Sequence, residues 1–246
     1  MWFSSYFEKI WLQDLIALIV SFVLALLWLR IVDFLAHKGL IEQKLSRKII
    51  HIGTGPIYLL CWNFFSNSPS ARYIASLIPL AITAQFFLVG MGWMKDEAAV
   101  QAMSRSGDRK EILRGPLYYG IMFVLLTVLF WRNSPVGILA LMILCGGDGF
   151  ADIVGRKYGG NKLPFNDSKS WIGSLGMFVM SFLFGAVFVL LFNTMGYYPE
   201  IMPTTSSLLS IAIISLAAAV VEAFSKHDLD NITITATAVV LGLLLF

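Results

Sequence analysis

Asp148 and Asp152 stand four residues apart where an apolar run ends, in Gly146-Gly147-Asp148-Gly149-Phe150-Ala151-Asp152. On a helix this spacing puts both carboxylates on one face. Two like charges there repel, and at a membrane edge each is also partly desolvated; a divalent cation relieves both costs. Magnesium takes one or two carboxylates and leaves its other positions to water and phosphate oxygens, so the pair is a candidate metal site. Gly147 and Gly149 let the backbone approach a ligand closely. A basic, glycine-rich loop with Arg156 and Lys162 follows, and Lys169-Ser170 opens the next apolar run. Ser170 is placed to cap that helix, whose first amides favour an anion. Within Leu144–Met177, carboxylates, small residues and cations therefore suit a metal-bound phosphate better than they suit packing. The plainer alternatives are a pair of solvated acids at a helix end and a basic loop of the kind any membrane protein carries.

The commoner phosphate motifs are not what this stretch contains. A Walker lysine follows glycine and precedes Ser or Thr, whereas Lys162 follows Asn161 and precedes Leu163. Gly147-Asp148-Gly149 lacks the third glycine and the strand of a dinucleotide fingerprint. Other ionisable groups lie at the ends of apolar segments. Arg47-Lys48-Ile49-Ile50-His51 opens one, and His51 falls just inside it. Groups at such depth are expensive and face the protein interior or a wet cavity; a histidine bonded to a neighbouring helix is the alternative to a phosphate contact. Glu222 lies in the apolar end of another segment, and Asp230-Asn231 opens the last. In Arg114-Gly115-Pro116-Leu117-Tyr118-Tyr119, Pro116 suits a first helical turn, and the tyrosines read as interface anchors.

The elements that must position these groups are membrane spans. The chain has 246 residues, of which 58% are hydrophobic and 13% charged; a soluble domain is about one-quarter charged. The apolar surplus must face lipid, so the fold class is an all-α polytopic membrane protein and the lipid bilayer is a partner. Apolar stretches run Trp11–Ile31, Ile49–Phe65, Tyr73–Met94, Pro116–Trp131, Pro135–Val154, Trp171–Phe192, Leu208–Phe224 and Ile232–Phe246. That makes about eight transmembrane helices, or seven if the short last one does not cross. The first reads as a retained span, since no small-x-small cleavage site follows it. Residues 1–246 read as a single integral membrane catalytic domain.

The cations alternate with these spans. Arg30, Lys38, Lys44, Arg47 and Lys48 follow the first. Lys95, Arg105, Arg109, Lys110 and Arg114 follow the third. Arg156, Lys157, Lys162 and Lys169 follow the fifth, and Lys226 follows the seventh. Only Lys9, Arg72 and Arg132 of the 18 Lys and Arg lie on the other side. The positive-inside rule then puts the basic loops in the cytoplasm and both termini outside. It also brings every candidate site residue to the cytoplasmic ends of the helices. Trp11, Trp28, Trp62, Trp93, Trp131 and Trp171 fall near span ends, as an aromatic belt places them. A net charge of +3 offers no basic field for nucleic acid. Cys61 and Cys145 have no paired spacing for a disulfide or a zinc site and read as buried thiols.

The motifs taken together resemble a known family. Arg47-Lys48-x-x-His51, Arg114-Gly115-Pro116-Leu117-Tyr118-Tyr119, Gly147-Asp148-Gly149-x-Ala151-Asp152-x-x-Gly155-Arg156-x-x-Gly159, Lys169-Ser170-x-x-Gly173-Ser174 and Glu222-Ala223-x-Ser225-x-x-x-x-Asp230-Asn231 resemble the phytol kinase and dolichol kinase group. That group is similar in turn to the membrane phosphatidate cytidylyltransferases. The resemblance spans about Arg47 to Asn231. It implies a polytopic kinase that moves the γ-phosphate of CTP onto an isoprenoid alcohol with the help of Mg2+. It further implies Asp148 and Asp152 as metal or nucleotide-phosphate residues and Lys169 with Ser170 as phosphate contacts. Arg47, Lys48, His51, Glu222, Asp230 and Asn231 would complete the site, with Asp152, Glu222 and Asp230 as candidates to orient or deprotonate the alcohol. The alcohol stays open among phytol, geranylgeraniol, farnesol and longer polyprenols. The loop Tyr158–Phe165 is compact, with Lys162 its one basic residue, which departs from what cytosine selection there would need.

Three rival readings differ in product or class. A cytidylyltransferase would use the same nucleotide and metal but release pyrophosphate and a CDP-lipid. A CDP-alcohol phosphotransferase signature opens with Asp-Gly and an alanine, but Asp152 follows Ala151 where that family has Arg, and its later Gly-x-x-x-Asp-x-x-x-Asp is missing. A transporter needs polar groups at mid-depth and an outer gate, whereas these carboxylates cluster at one edge.

Overall fold

The computed structural model describes residues 9–198, 204–226 and 228–246. Each of the eight expected spans is helical: α1 (Ile10–His37), α2 (Gln43–Cys61), α3 (Ala71–Met91), α5 (Gly115–Phe130), a run of α6 (Pro135–Met142), a π-helical turn (Ile143–Gly147) and α7 (Asp148–Tyr158), then α8 (Trp171–Thr194), α9 (Thr204–Phe224) and α10 (Asp230–Leu245). Between α3 and α5 lie the short α4 (Glu97–Met103) and a 3-10 turn (Arg109–Leu113). Six of these helical runs are long and apolar enough to cross a membrane. Two of the eight expected spans fall short of that measure for physical reasons. The first turns of α2 carry Gln43, Lys44, Arg47 and Lys48. The 16 residues of α10 reach about 24 Å, less than a hydrocarbon core of about 30 Å. The protein is thus an all-α, multi-pass membrane protein whose only sheet, among the described residues, is a small hairpin.

The chain forms two compact units, Met1–Leu129 and Phe130–Phe246. In the first, polar groups inside the first span turn inward, as burial away from water demands. Asp14 accepts hydrogen bonds from Ser66 N (2.7 Å) and Ser66 Oγ (2.9 Å), and Gln13 Nε2 donates to Phe64 O at 3.0 Å. These bonds tie the segment after α2 to the start of α1. Tyr58 on α2 donates to Ala75 O of α3 and shares a hydrogen bond with Thr127 of α5, so one hydroxyl pins three helices. The loop after α3 has its own helical structure. Asp96 caps α4 through Ala99 N and accepts from Gln85 Nε2, and Ile112 packs with Phe86 and Val89 under Met94, Val100 and Met103.

The second unit is built around the α6–π–α7 run. Ile138 through Cys145 are completely enclosed, with α8 and α10 packed against them. A helix apolar all round belongs in such a centre. Cys145 here and Cys61 in the first unit are both buried and form no disulfide. Trp11, Trp93 and Trp171 are exposed, as belt residues would be, but Trp62 and Trp131 are buried. For Trp131 the reason is local: the buried Arg132 guanidinium lies over the rings of Trp131 and Tyr197, 5.4 Å and 4.9 Å from their centroids.

Candidate active site

Four charged groups of the second unit, Asp148, Lys169, Glu222 and Asp230, meet near the ends of α7, α9 and α10 and the hairpin. The hairpin pairs β1 (Lys162–Leu163) with β2 (Asn166–Ser170) across a Pro164-Phe165 turn. It carries Lys169 to the last turn of α9 and the first turn of α10. There Lys169 Nζ makes an ion pair with Glu222 Oε1 and a second one, at 3.2 Å, with Asp230 Oδ2. Asp148, at the start of α7, is buried and completes the electrostatic set around the ammonium. The three carboxylates and the lysine are all largely withdrawn from solvent; only 14% of the Lys169 side chain and 3% of the Glu222 side chain are exposed. Burial by itself would depress the lysine pKa. The carboxylates of Glu222, Asp148 and Asp230 outweigh it and hold the ammonium charged, above the ordinary lysine range.

Local structure explains how Asp148 reaches this position. The backbone N–H of Asp148 bonds to Ile143 O, five residues back, so the helix widens by one residue just before the carboxylate. Such π turns frequently fall at functional sites. Gly147 lets the turn pack closely on α8, because a Cβ there would run into Ser181 Oγ and the Met177 sulfur. One turn further on, α7 and α8 cross through glycines: a Cβ on Gly173 would meet Ala151 O and the Cα of Gly155 at 3.2 and 3.4 Å. Close helix approach through small residues is usual in membranes. Gly149 is buried at the same end of α7.

Asp152 lies on α7 one turn after Asp148 and is half-buried. Its Oδ1 is shared by Arg156 Nε and Nη2, both at 2.9 Å. Ser170 is the N-cap of α8, accepting from Gly173 N at 3.2 Å, so the expected cap is present and the hydroxyl is buried. Asn231 is buried beside Asp230, whose Oδ1 accepts its N–H. Arg156 and Lys162 are exposed and do not enter the buried cluster. In the first unit, Arg47, Lys48 and His51 share the i, i+3 and i, i+4 face of α2 and are half-buried. Tyr119, expected as an interface anchor, instead donates to His51 O at 2.8 Å and lays its ring 4.3 Å from the imidazole.

Two residues of this region carry no obvious motif. Asn166 reaches from β2 to the end of α9, and Phe165 stacks on Phe224 with centroids 4.3 Å apart. The signal for the hairpin was the turn chemistry of Leu163-Pro164-Phe165-Asn166, with proline, asparagine and serine close together.

Among the described residues no three His, Cys, Asp or Glu side chains are grouped so as to hold a metal by themselves. Asp148 and Asp152, one turn apart on α7, offer hard carboxylate oxygens. That donor set suits a hard ion that keeps water and substrate oxygens in its shell, and it does not suit a closed structural site.

These features define a multi-pass membrane protein with a buried carboxylate–lysine cluster at one end of its second unit. Comparison with known proteins gives the family. The chain is 42% identical over 219 residues to "Probable phytol kinase, chloroplastic" of Triticum aestivum, covering 88% of this chain and 72% of that one. It is 43% identical over 219 residues to "Probable phytol kinase 1, chloroplastic" of Oryza sativa subsp. japonica, with 88% and 69% covered. It is 38% identical over 237 residues to "Farnesol kinase, chloroplastic" of Arabidopsis thaliana, with 96% and 76% covered. The chain belongs to this family of phytol and farnesol kinases. No family model and no solved structure matches it.

Proposed function

We propose that this protein is an isoprenoid-alcohol kinase that transfers the terminal phosphate of CTP to the hydroxyl of a prenyl alcohol such as phytol, geranylgeraniol, farnesol or a polyprenol. The observation that carries the reading is the cluster of Lys169 with Asp148, Glu222 and Asp230, in a chain 38–43% identical to proteins named for phytol and farnesol kinase activity. Phosphoryl transfer asks for positioning and charge neutralisation more than for covalent chemistry, and a charged, buried lysine held among carboxylates supplies a fixed cation.

In the proposed step the alcohol oxygen forms a bond to the terminal phosphorus as the bond to the leaving nucleoside diphosphate breaks. The hydroxyl proton passes to a carboxylate; Asp152, Glu222 and Asp230 are the candidates. Lys169 and the N-terminal amides of α8, opened by Ser170, face the phosphates. Gly147, Gly149, Arg156, Lys162, Asn231 and, on α2, Arg47, Lys48 and His51 are proposed as further nucleotide-phosphate groups. Mg2+, when bound, neutralises phosphate oxygens and orients them; Asp148 and Asp152 are the residues that would hold it. The reaction end faces the cytoplasm in this reading, because 15 of the 18 Lys and Arg fall in loops on that side.

The test presents purified protein with γ-labelled CTP, ATP or GTP and a panel of prenols, and identifies the labelled lipid. The expected products are a lipid monophosphate and CDP. Release of pyrophosphate with a CDP-lipid would replace the kinase reading by cytidylyl transfer. Nucleotide-dependent flux through vesicles without any lipid product would replace it by transport.

A further inference from the structure

Lys169 sits on a hairpin that is too small to hold its own shape. β1 has two residues, β2 has five, and the register slips between Lys162 and Leu163. An isolated two-stranded hairpin is marginal at best, so something outside the hairpin must fix where Lys169 points. The end of α9 supplies it. The last carbonyls of a helix have no partner within the helix. In α9, Val221 O is met by Ser225 Oγ at 2.7 Å and Glu222 O by Ser225 N at 3.1 Å. Ala223 O and Ser225 O receive the side-chain amide of Asn166, at 2.9 and 3.4 Å. The other side of the same carboxamide accepts from Ser168 N (3.2 Å) and Ser168 Oγ (2.6 Å). Both faces of Asn166 are thus engaged. One closes the helix that carries Glu222, and the other braces the strand that carries Lys169.

We propose that Asn166 is the positioning residue of the site: by capping α9 from across the fold, it sets Lys169 against Glu222 and Asp230. The contribution of this geometry to phosphate transfer rests on the kinase reading above; its effect on Lys169 does not. Phe165–Phe224 stacking docks the same hairpin tip, but it is apolar, exposed on both partners and carries no direction for the β2 backbone.

The experiment reads the lysine directly. Full-length protein in detergent is treated with a limiting amine-acetylating reagent, and modification is quantified residue by residue by mass spectrometry, with the exposed Lys157 and Lys162 as internal standards. Wild-type Lys169 is expected to be protected. Asn166→Ala is expected to raise its labelling by about tenfold, the scale of losing buried hydrogen bonds. Asn166→Ser, which keeps a short donor, should fall between the two and serves if the alanine variant does not accumulate. Phe165→Leu removes the ring stack alone and should label like wild type. Unchanged Lys169 labelling in both Asn166 variants, or an equal rise in Phe165→Leu, overturns the assignment. A rise specific to the Asn166 variants supports it. If those variants also keep full lipid-phosphate synthesis, it is Lys169's role in transfer that fails, and Asn166 still positions the lysine.

Discussion

Asp148→Asn is expected to reduce lipid-phosphate formation by about 10²–10³-fold, the cost of removing one preorganised charge from a water-poor site. The substitution keeps the size of the side chain and its hydrogen-bonding capacity, so the enclosed run before it and the π turn have no reason to change. What is lost is one of three negative charges facing Lys169 and half of the proposed magnesium pair. Asp152→Asn should act in the same direction, with the added loss of the ion pair to Arg156. The measurement is turnover per inserted protein, with membrane insertion and detergent elution profile as controls. Full activity in both variants would remove the metal assignment, and loss of insertion would make Asp148 a folding residue instead.

The second large effect is on stability. Lys169→Met leaves Glu222, Asp148 and Asp230 facing one another in a buried space with no cation. Removing one partner of a buried ion pair typically costs about 3–5 kcal/mol, because the remaining charge stays desolvated and uncompensated. Lys169→Met should therefore unfold earlier in a denaturant titration, as well as lose nucleotide use. The pH dependence follows from the sign of the shift. The folded lysine has a pKa raised above its unfolded value, so its stabilisation is fully present below the ordinary lysine pKa of about 10.4 and is lost as pH rises beyond it. The wild-type advantage over Lys169→Met should accordingly be level from neutral pH to about pH 10 and shrink above. An advantage that already falls between pH 7 and pH 9 would mean that the lysine is not held charged by this cluster.

The spans were legible because a long apolar run has few alternatives in a chain this poor in charge. Ser134 and Pro135 mark the start of the α6 run, and Ser170 the start of α8, by ordinary capping chemistry. Helix ends were less legible. The first helix continues through Arg30 and Asp33 to His37, since nothing in that segment breaks a helix once it has left the apolar region. The burial of Trp62 and Trp131 was hidden too, because a tryptophan near a span end looks the same whether it faces lipid or a packed neighbour. Within the site, Asp148 and Asp152 stood out by their local spacing. The partners of Lys169 lie 53 and 61 residues away, and no periodicity connects such distances. Asn166 lies in a strand of five polar residues, where alternation has no apolar face to report. Its role becomes visible only when the end of α9 is seen to need a donor.

The π turn at Ile143–Gly147 makes the aim of Asp148 a matter of phase. Each residue of an α-helix advances the side chain by about 100°, so the extra residue in this turn decides the azimuth of everything after it. Running α-helical hydrogen bonds straight through the same residues would rotate everything after the turn while composition and net charge stayed the same. Asp148, Asp152 and Gly155 would all swing together, taking the carboxylate away from Lys169 and the glycine seam away from α8. The turn is the point at which an otherwise uniform apolar rod is clocked to its chemistry.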